Sequence, residues 1–292
     1  MAGPRILIFG RTGQLAQSLA AAPWPAAATV TALGREEADL AQPASLGAVV
    51  AAHAPDLVVI AAAHTAVDKA ETEEALATLI NGEAPGVIAD AAARRGAPVI
   101  HVSTDYVFDG SRSGWYEESD PVAPLGAYGR SKEFGERQVR SANPRHVILR
   151  TAWVYSPFGN NFLRTMLRLA EARDRVTIVA DQQGCPTTAG EIARVIAALT
   201  PMALAGDAAF GTYHASGATD TTWHGFAEAI FAELARRGRK RPENAAIPTS
   251  AYPTPAARPA NSRLSCQRLH DSFGLKLAGF EQEIPKVLDA LL

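Results

Sequence analysis

Cysteine is nearly absent: Cys185 and Cys266 are the only two, far apart and in no C-x-x-C pair. That excludes a zinc ribbon or a disulfide-stapled framework and points to a reducing cytosol. An excess of one charge is also missing, with 28 Lys plus Arg against 30 Asp plus Glu and a net charge of -2. A strongly basic nucleic-acid binder and an acidic disordered tail protein both fall away, so no nucleic-acid partner is expected. Long apolar runs are lacking too. The strongest, Leu57 to Ala63, is far short of the roughly 20 residues that span a bilayer, and no membrane partner is expected. The first apolar run, Ile6-Leu7-Ile8-Phe9, stops at Gly10, whereas a secretory signal needs about 7–15 apolar residues; the expected location is the cytoplasm. What the chain does have is 292 residues, 47% of them hydrophobic, enough for one large or two modest domains with a buried core.

Short aliphatic or β-branched runs alternate with longer Ala-rich segments, the rhythm of a parallel sheet covered by helices. Strands are predicted near 5–9, 28–32, 56–61, 98–102 and 146–150, and helices near 13–22, 43–53, 74–95 and 128–141. Leu57-Val58-Val59-Ile60 is apolar on successive residues, as suits a strand buried on both faces. Beyond about residue 155 the rhythm loosens. Helices are predicted near 160–173, 188–199, 222–237 and 281–291, with strands near 175–179 and 211–215. Pro248, Pro253, Pro255 and Pro259 forbid regular helix between them and favour an extended segment, which on composition alone reads as a linker.

The first strand runs into Gly10-Arg11-Thr12-Gly13-Gln14-Leu15-Ala16, a G-x-x-G-x-x-A turn opening a helix. Two glycines let backbone approach a pyrophosphate, a helix N-terminus offers free N–H groups to it, and a small third residue lets helix and strand pack closely. No acidic residue stands where the fingerprint places the ligand of a ribose 2′-hydroxyl. Leu33-Gly34-Arg35 stands there instead, and the Arg35 guanidinium suits a 2′-phosphate, which favours NADPH while leaving NADH open. Asp39 and Leu40 are placed at the adenine. After the third strand, Ala61-Ala62-Ala63-His64-Thr65 offers small side chains against which a cofactor can lie, and His64 receives no catalytic role.

The chemical end is Tyr128-Gly129-Arg130-Ser131-Lys132, preceded by Ser103-Thr104-Asp105 at a strand end. Residues four apart share a helical face, so Lys132 sits beside Tyr128. A cation there, with the positive charge of an oxidised nicotinamide, is expected to pull the phenol's pKa down for acid–base work, and Lys132 also suits the ribose hydroxyls of the nicotinamide half. Thr104, at the carboxyl end of a parallel strand, suits a substrate carbonyl.

At these residues the chain resembles the extended, nucleotide-sugar-modifying branch of the short-chain dehydrogenase/reductase superfamily. The likeness also covers the run from Ala61 to Glu71, Ser103 to Gly110, Arg150-Thr151-Ala152-Trp153-Val154-Tyr155, Gly159-Asn160-Asn161-Phe162 and the long run from Pro248 to Leu264. The resemblance implies a Rossmann-type doubly wound α/β fold: a dinucleotide domain over 1–150, and a smaller α+β domain, mainly 151–292, for the nucleotide sugar. That scheme leaves room for later segments to return to the first domain, and the proline-rich run moves from linker to substrate domain. It implies reduction of the C4 ketone of dTDP-4-dehydro-L-rhamnose by a monomer or homodimer, with Tyr128 as acid, Lys132 as its tuner and Thr104 as carbonyl donor. Gly10, Arg11, Thr12, Gly13, Gln14, Leu15, Arg35, Asp39, Leu40, Ala62, Ala63, His64, Thr65, Val102, Tyr128 and Lys132 would bind the cofactor. Thr104, Asp105, Trp153, Asn161 and Arg258 would bind the sugar nucleotide. No motif places a metal. Related dehydratases carry an Asp-Glu pair after the threonine, where this chain has Asp105-Tyr106, so dehydration is disfavoured. A non-catalytic dinucleotide-binding regulatory subunit of the same fold and another nucleotide-sugar reductase or epimerase are the remaining alternatives.

Overall fold

The structure, a computed structural model, describes residues 3–292. In chain order, β1 (Arg5–Phe9), α1 (Gln14–Ala20), β2 (Thr29–Leu33), α2 (Pro43–His53) and β3 (Leu57–Ile60) open the fold. Next come α3 (Val67–Ala70), α4 (Glu74–Thr78), a π turn (Leu79–Glu83), α5 (Ala84–Ala93), β4 (Val99–Thr104), α6 (Ala127–Ala142) and β5 (His146–Thr151). The remainder holds β6 (Val154–Tyr155), α7 (Phe162–Ala172), β7 (Arg175–Val179), β8 (Gln183–Gly184), β9 (Thr187–Thr188) and α8 (Ala189–Ala205). It ends with β10 (Gly211–His214), β11 (Thr221–Thr222), α9 (Trp223–Arg236), β12 (Glu243–Ile247), β13 (Asn261–Ser262), α10 (Gln267–Phe273) and α11 (Phe280–Asp289).

Six parallel strands form the main sheet in the order β10-β5-β4-β3-β1-β2. Leu57, Val58 and Val59 are all 0% exposed, because helices cover both faces of the sheet. Ile6, Ile8 and Val59 face α1 and α8 on one side; Leu7, Phe9 and Val58 face α2 and α5 on the other. Strand order reverses between β1 and β3, so their carboxyl ends leave a crevice where an open α/β sheet takes its ligand. The later half of the chain is not separate from this layer: α8 packs on α1, and β10 closes the sheet edge beside β5. A second core, built from Leu163, Met166, Phe226, Ile230 and Ile284, holds α7, α9 and α11 together with β7.

The predicted helix over 74–95 is three pieces. Pro85 has no N–H to return to the preceding turn, and the chain there widens into the π turn before α5 starts. Gly82 and Gly135 let this turn and α6 approach; a Cβ on Gly135 would stand 2.0 Å from the Asn81 carbonyl oxygen. The helix predicted over 188–199 continues through Pro201 to Ala205, where Gly206 at φ 83° caps it. Sequence periodicity gave no sign of α3, α10 or β12, nor of the two-residue strands of the second lobe. The proline-rich run is a pinned strap: Thr249 is held by the Asp181 carboxylate, Ala256 N donates to Asp68 at 3.2 Å, and β13 pairs with β8.

Candidate active site

A cavity of about 820 Å³ runs from the glycine turn after β1, past the carboxyl ends of β3 and β4, to Tyr128, Lys132 and Trp153. At its first end the backbone itself is the lining. Gly10 has φ 125°, in the region glycine alone occupies freely, and a Cβ there would come within 3.2 Å of Ala62 N. Gly13 differs: its φ is an ordinary -68°, and a Cβ would meet nothing within 4 Å. Gly13 caps α1 without a side-chain cap bond, so the first helical N–H groups stay available. Gln14 ties this turn to the second lobe, its Oε1 accepting from Ser156 Oγ and from Asn161 Nδ2, both at 2.9 Å.

The far edge of this end is charged. Arg11 donates to the Ala32 carbonyl and to Glu36 and Glu37, and its guanidinium holds the Glu37 carboxyl below the usual carboxylate range. Arg35, 80% exposed at the side chain, reaches only Asp39, at 3.3 Å. Of the two arginines on this rim, Arg35 is therefore the one with a guanidinium open to an anion. The loop after β3 is set by Asn81, 0% exposed in the π turn. Its amide accepts from His64 N, donates to His64 O and donates to Ser131 Oγ.

At the chemical end, Lys132 is buried and its Nζ donates to the Val102 carbonyl at 2.7 Å. Burial lowers its amine to about 8. The Tyr128 ring lines the cleft half-buried, edge-on to Tyr106 at 5.4 Å between centroids. Burial pushes its phenol up, against the opposing pull of the Thr104 hydroxyl. The sequence reading expected a lowered phenol. The correction has a physical cause: desolvation there outweighs nearby dipoles, and the Lys132 ammonium is directed at Val102 O. Thr104 donates to Asp105 Oδ1 at 2.9 Å and accepts from Tyr106 N. Asp105 is buried, one of its oxygens lacks a partner, and its carboxyl rises to about 6.

Trp153 lines the cavity with φ 49°, unusual for a bulky side chain. It is held there by stacking on Trp223 at 3.6 Å and by Gly184, where a Cβ would stand 2.4 Å from the indole. Two expected substrate contacts lie elsewhere. Asn161 is not in the lining: its Oδ1 caps α7 by accepting from Arg164 N, and its Nδ2 is engaged by Gln14, Ser156 and Phe158. Its neighbour Asn160 is the residue that faces the cavity. Arg258 is likewise not in the lining, and donates to Asp68 at 2.8 Å with its guanidinium 6.0 Å from the Tyr106 ring centroid. All the other expected cofactor and sugar residues line the one cavity. Asn81, Tyr106 and Trp223 escaped the sequence reading. Only Asn81 had a local signal, an Asn-Gly pair inside a helical pattern.

A family model described as the RmlD substrate binding domain matches residues 4–292. The chain is 43% identical over 290 residues to a dTDP-4-dehydrorhamnose reductase of Sinorhizobium fredii, covering 99% of this chain and 98% of that one. A solved dTDP-4-dehydrorhamnose reductase from Clostridium acetobutylicum superposes with a TM-score of 0.92 at 33% identity, over 98% of this chain and 99% of the other. The Bacillus anthracis reductase, solved in complex with NADP, gives 0.91 at 31% identity over the same shares.

Proposed function

The chain belongs to the RmlD substrate binding domain family, and from that premise we propose that it reduces the C4 ketone of dTDP-4-dehydro-L-rhamnose to dTDP-L-rhamnose. The observation that carries this reading is the single cavity joining a glycine turn to Tyr128, Lys132 and Thr104. The residues present fit a nicotinamide dinucleotide: Gly13 leaves room at the head of α1, and a buried ammonium stands at the far end. NADPH, with NADH as substitute, supplies a hydride. The first lobe, 1–150 with the returning α8 and β10, holds the dinucleotide, while the second holds the sugar nucleotide against Trp153 and the strap. Lys132 binds and orients ribose hydroxyls. Thr104 orients the ketone, and Tyr128 gives a proton to the oxygen at C4. The working unit is a monomer or a homodimer. Among the described residues no helix is long and apolar enough to cross a membrane, and the reaction is assigned to the cytoplasm.

The direct test follows NADPH and NADH absorbance with dTDP-4-dehydro-L-rhamnose beside its UDP and GDP counterparts. Consumption with the dTDP sugar supports the reading; no consumption with any of them overturns it. Two substitutions separate binding from folding. Gly13→Ala should leave the melting temperature within about two degrees, since its Cβ enters free space, yet weaken NADPH on the order of tenfold by intruding on the pyrophosphate path. Unchanged affinity, read by cofactor fluorescence, would remove the glycine turn from the binding site. Arg35→Ala should weaken NADPH by roughly tenfold and NADH by much less, because only the phosphate ester needs the guanidinium. Equal losses would show that this side chain does not read the 2′-phosphate.

A further inference from the structure

One turn beyond Lys132 on the same face of α6, Glu136 is 0% exposed. Tyr128, Lys132 and Glu136 are spaced by four, so one helical stripe carries phenol, ammonium and carboxylate. The carboxylate accepts from Ser103 Oγ at 2.6 Å, Arg150 Nε at 2.9 Å, Arg150 Nη2 at 2.8 Å and Arg140 Nη1 at 3.0 Å. Three consecutive residues of β4 thus meet this stripe. The Val102 carbonyl takes the Lys132 ammonium, Ser103 takes Glu136, and Thr104 lies by Tyr128. Arg150 arrives from β5 and is itself 3% exposed, with Nη1 lacking a partner. Packing alone does not call for charge here. A buried carboxylate carries a large desolvation cost, and an apolar side chain would fill the same space without it.

We infer that Glu136 is a positioning residue for the reduction: it clamps α6 onto β4 and β5 and places a buried carboxylate one helical turn from Lys132. This rests on the reading of Lys132 as cofactor ligand. The titratable and charged groups on this stripe and on the elements packed against it are Tyr128, Glu136 and Arg140 from α6, His101 from β4, Asp105 just after β4, Arg150 from β5 and His214 from β10. Both histidines are buried and held neutral, His214 down to about 3 and His101 well below its ordinary value. Glu136 is the group that opposes the lowering of Lys132 by burial.

The test compares wild type with Glu136→Gln, Glu136→Asp, the pair Glu136→Gln with Arg150→Gln, and Lys132→Met. Melting temperature, NADPH affinity by fluorescence and kcat/KM are read from about pH 6 to about pH 9. With Gln at 136 the alkaline limb of NADPH binding and of kcat/KM should move down by about one pH unit, a loss of up to about tenfold on the alkaline side and little change on the acid side. Glu136→Asp, which keeps the charge, should hold the limb near its wild-type position. If an uncompensated Arg150 unfolds the single variant, the paired variant removes that cation as well and should show the same displaced limb. A limb that stays in place while the melting temperature falls would make Glu136 structural only and overturn the inference. Wild-type kcat/KM in Lys132→Met is a different result, which would overturn the reading of Lys132 itself.

Discussion

Tyr128→Phe is expected to lower kcat by about 10²–10⁴-fold, the usual reach of a positioned proton donor, while the NADPH dissociation constant changes by no more than about twofold. The substitution deletes one oxygen. Packing survives it: the edge-on contact with Tyr106 uses the ring, and the bond from Ser131 Oγ goes to the Tyr128 backbone carbonyl at 2.8 Å. Burial pushes the phenol above its ordinary value, and the direction matters for the assignment. A raised phenol stays protonated at neutral pH, which is the form that can deliver a proton as negative charge develops on the C4 oxygen. The measurement is steady-state turnover with dTDP-4-dehydro-L-rhamnose alongside cofactor titration. Undiminished turnover in the variant would remove Tyr128 from the proton-donor role, and a matching collapse of NADPH affinity would recast it as a binding residue.

What the sequence made readable divides along physical lines. Gly10, Gly13, Tyr128 and Lys132 were legible because their function depends on spacing within one turn or one helix, which a sequence records directly. The parallel sheet was legible for the same reason, through the apolar runs of β1, β3 and β5. Glu136 and Arg150 were not. Each looks like an ordinary charged residue until β4, β5 and α6 are assembled, when both fall below 4% exposure and bond to each other. The capping role of Asn161 had a local signal, since Asn directly before a helical run is a common N-cap. Arg258 was placed in the sugar site from its surroundings in the proline-rich run. Its partner, Asp68, lies 190 positions away in α3, a pairing that no local pattern encodes.

Asp105 yields a prediction about stability whose sign follows from linkage. Its carboxyl stands at about 6 in the folded protein against an ordinary 3.8, mainly because burial penalises the charge. The folded state therefore binds the proton more tightly than the unfolded chain. The contribution is fully favourable below about pH 4, declines as pH rises to about 6, and is constant above that. Some two pKa units correspond to roughly 3 kcal/mol at the plateau. Asparagine carries no charge and can still accept from the Thr104 hydroxyl. Its amide nitrogen would replace an oxygen that already lacks a partner, an offset of about 1–3 kcal/mol that does not vary with pH. Relative to wild type, Asp105→Asn should thus become more stable by roughly 3 kcal/mol between about pH 3 and about pH 7.5, whatever its standing at the acid end. Denaturant unfolding of both proteins at the two pH values reads that change. A difference that does not vary with pH would mean that Asp105 is not a buried charge held at a cost. If the difference does vary and the variant's KM for the dTDP sugar also rises, the carboxylate trades stability for a substrate contact, as expected where a site needs a charge that the fold alone would exclude.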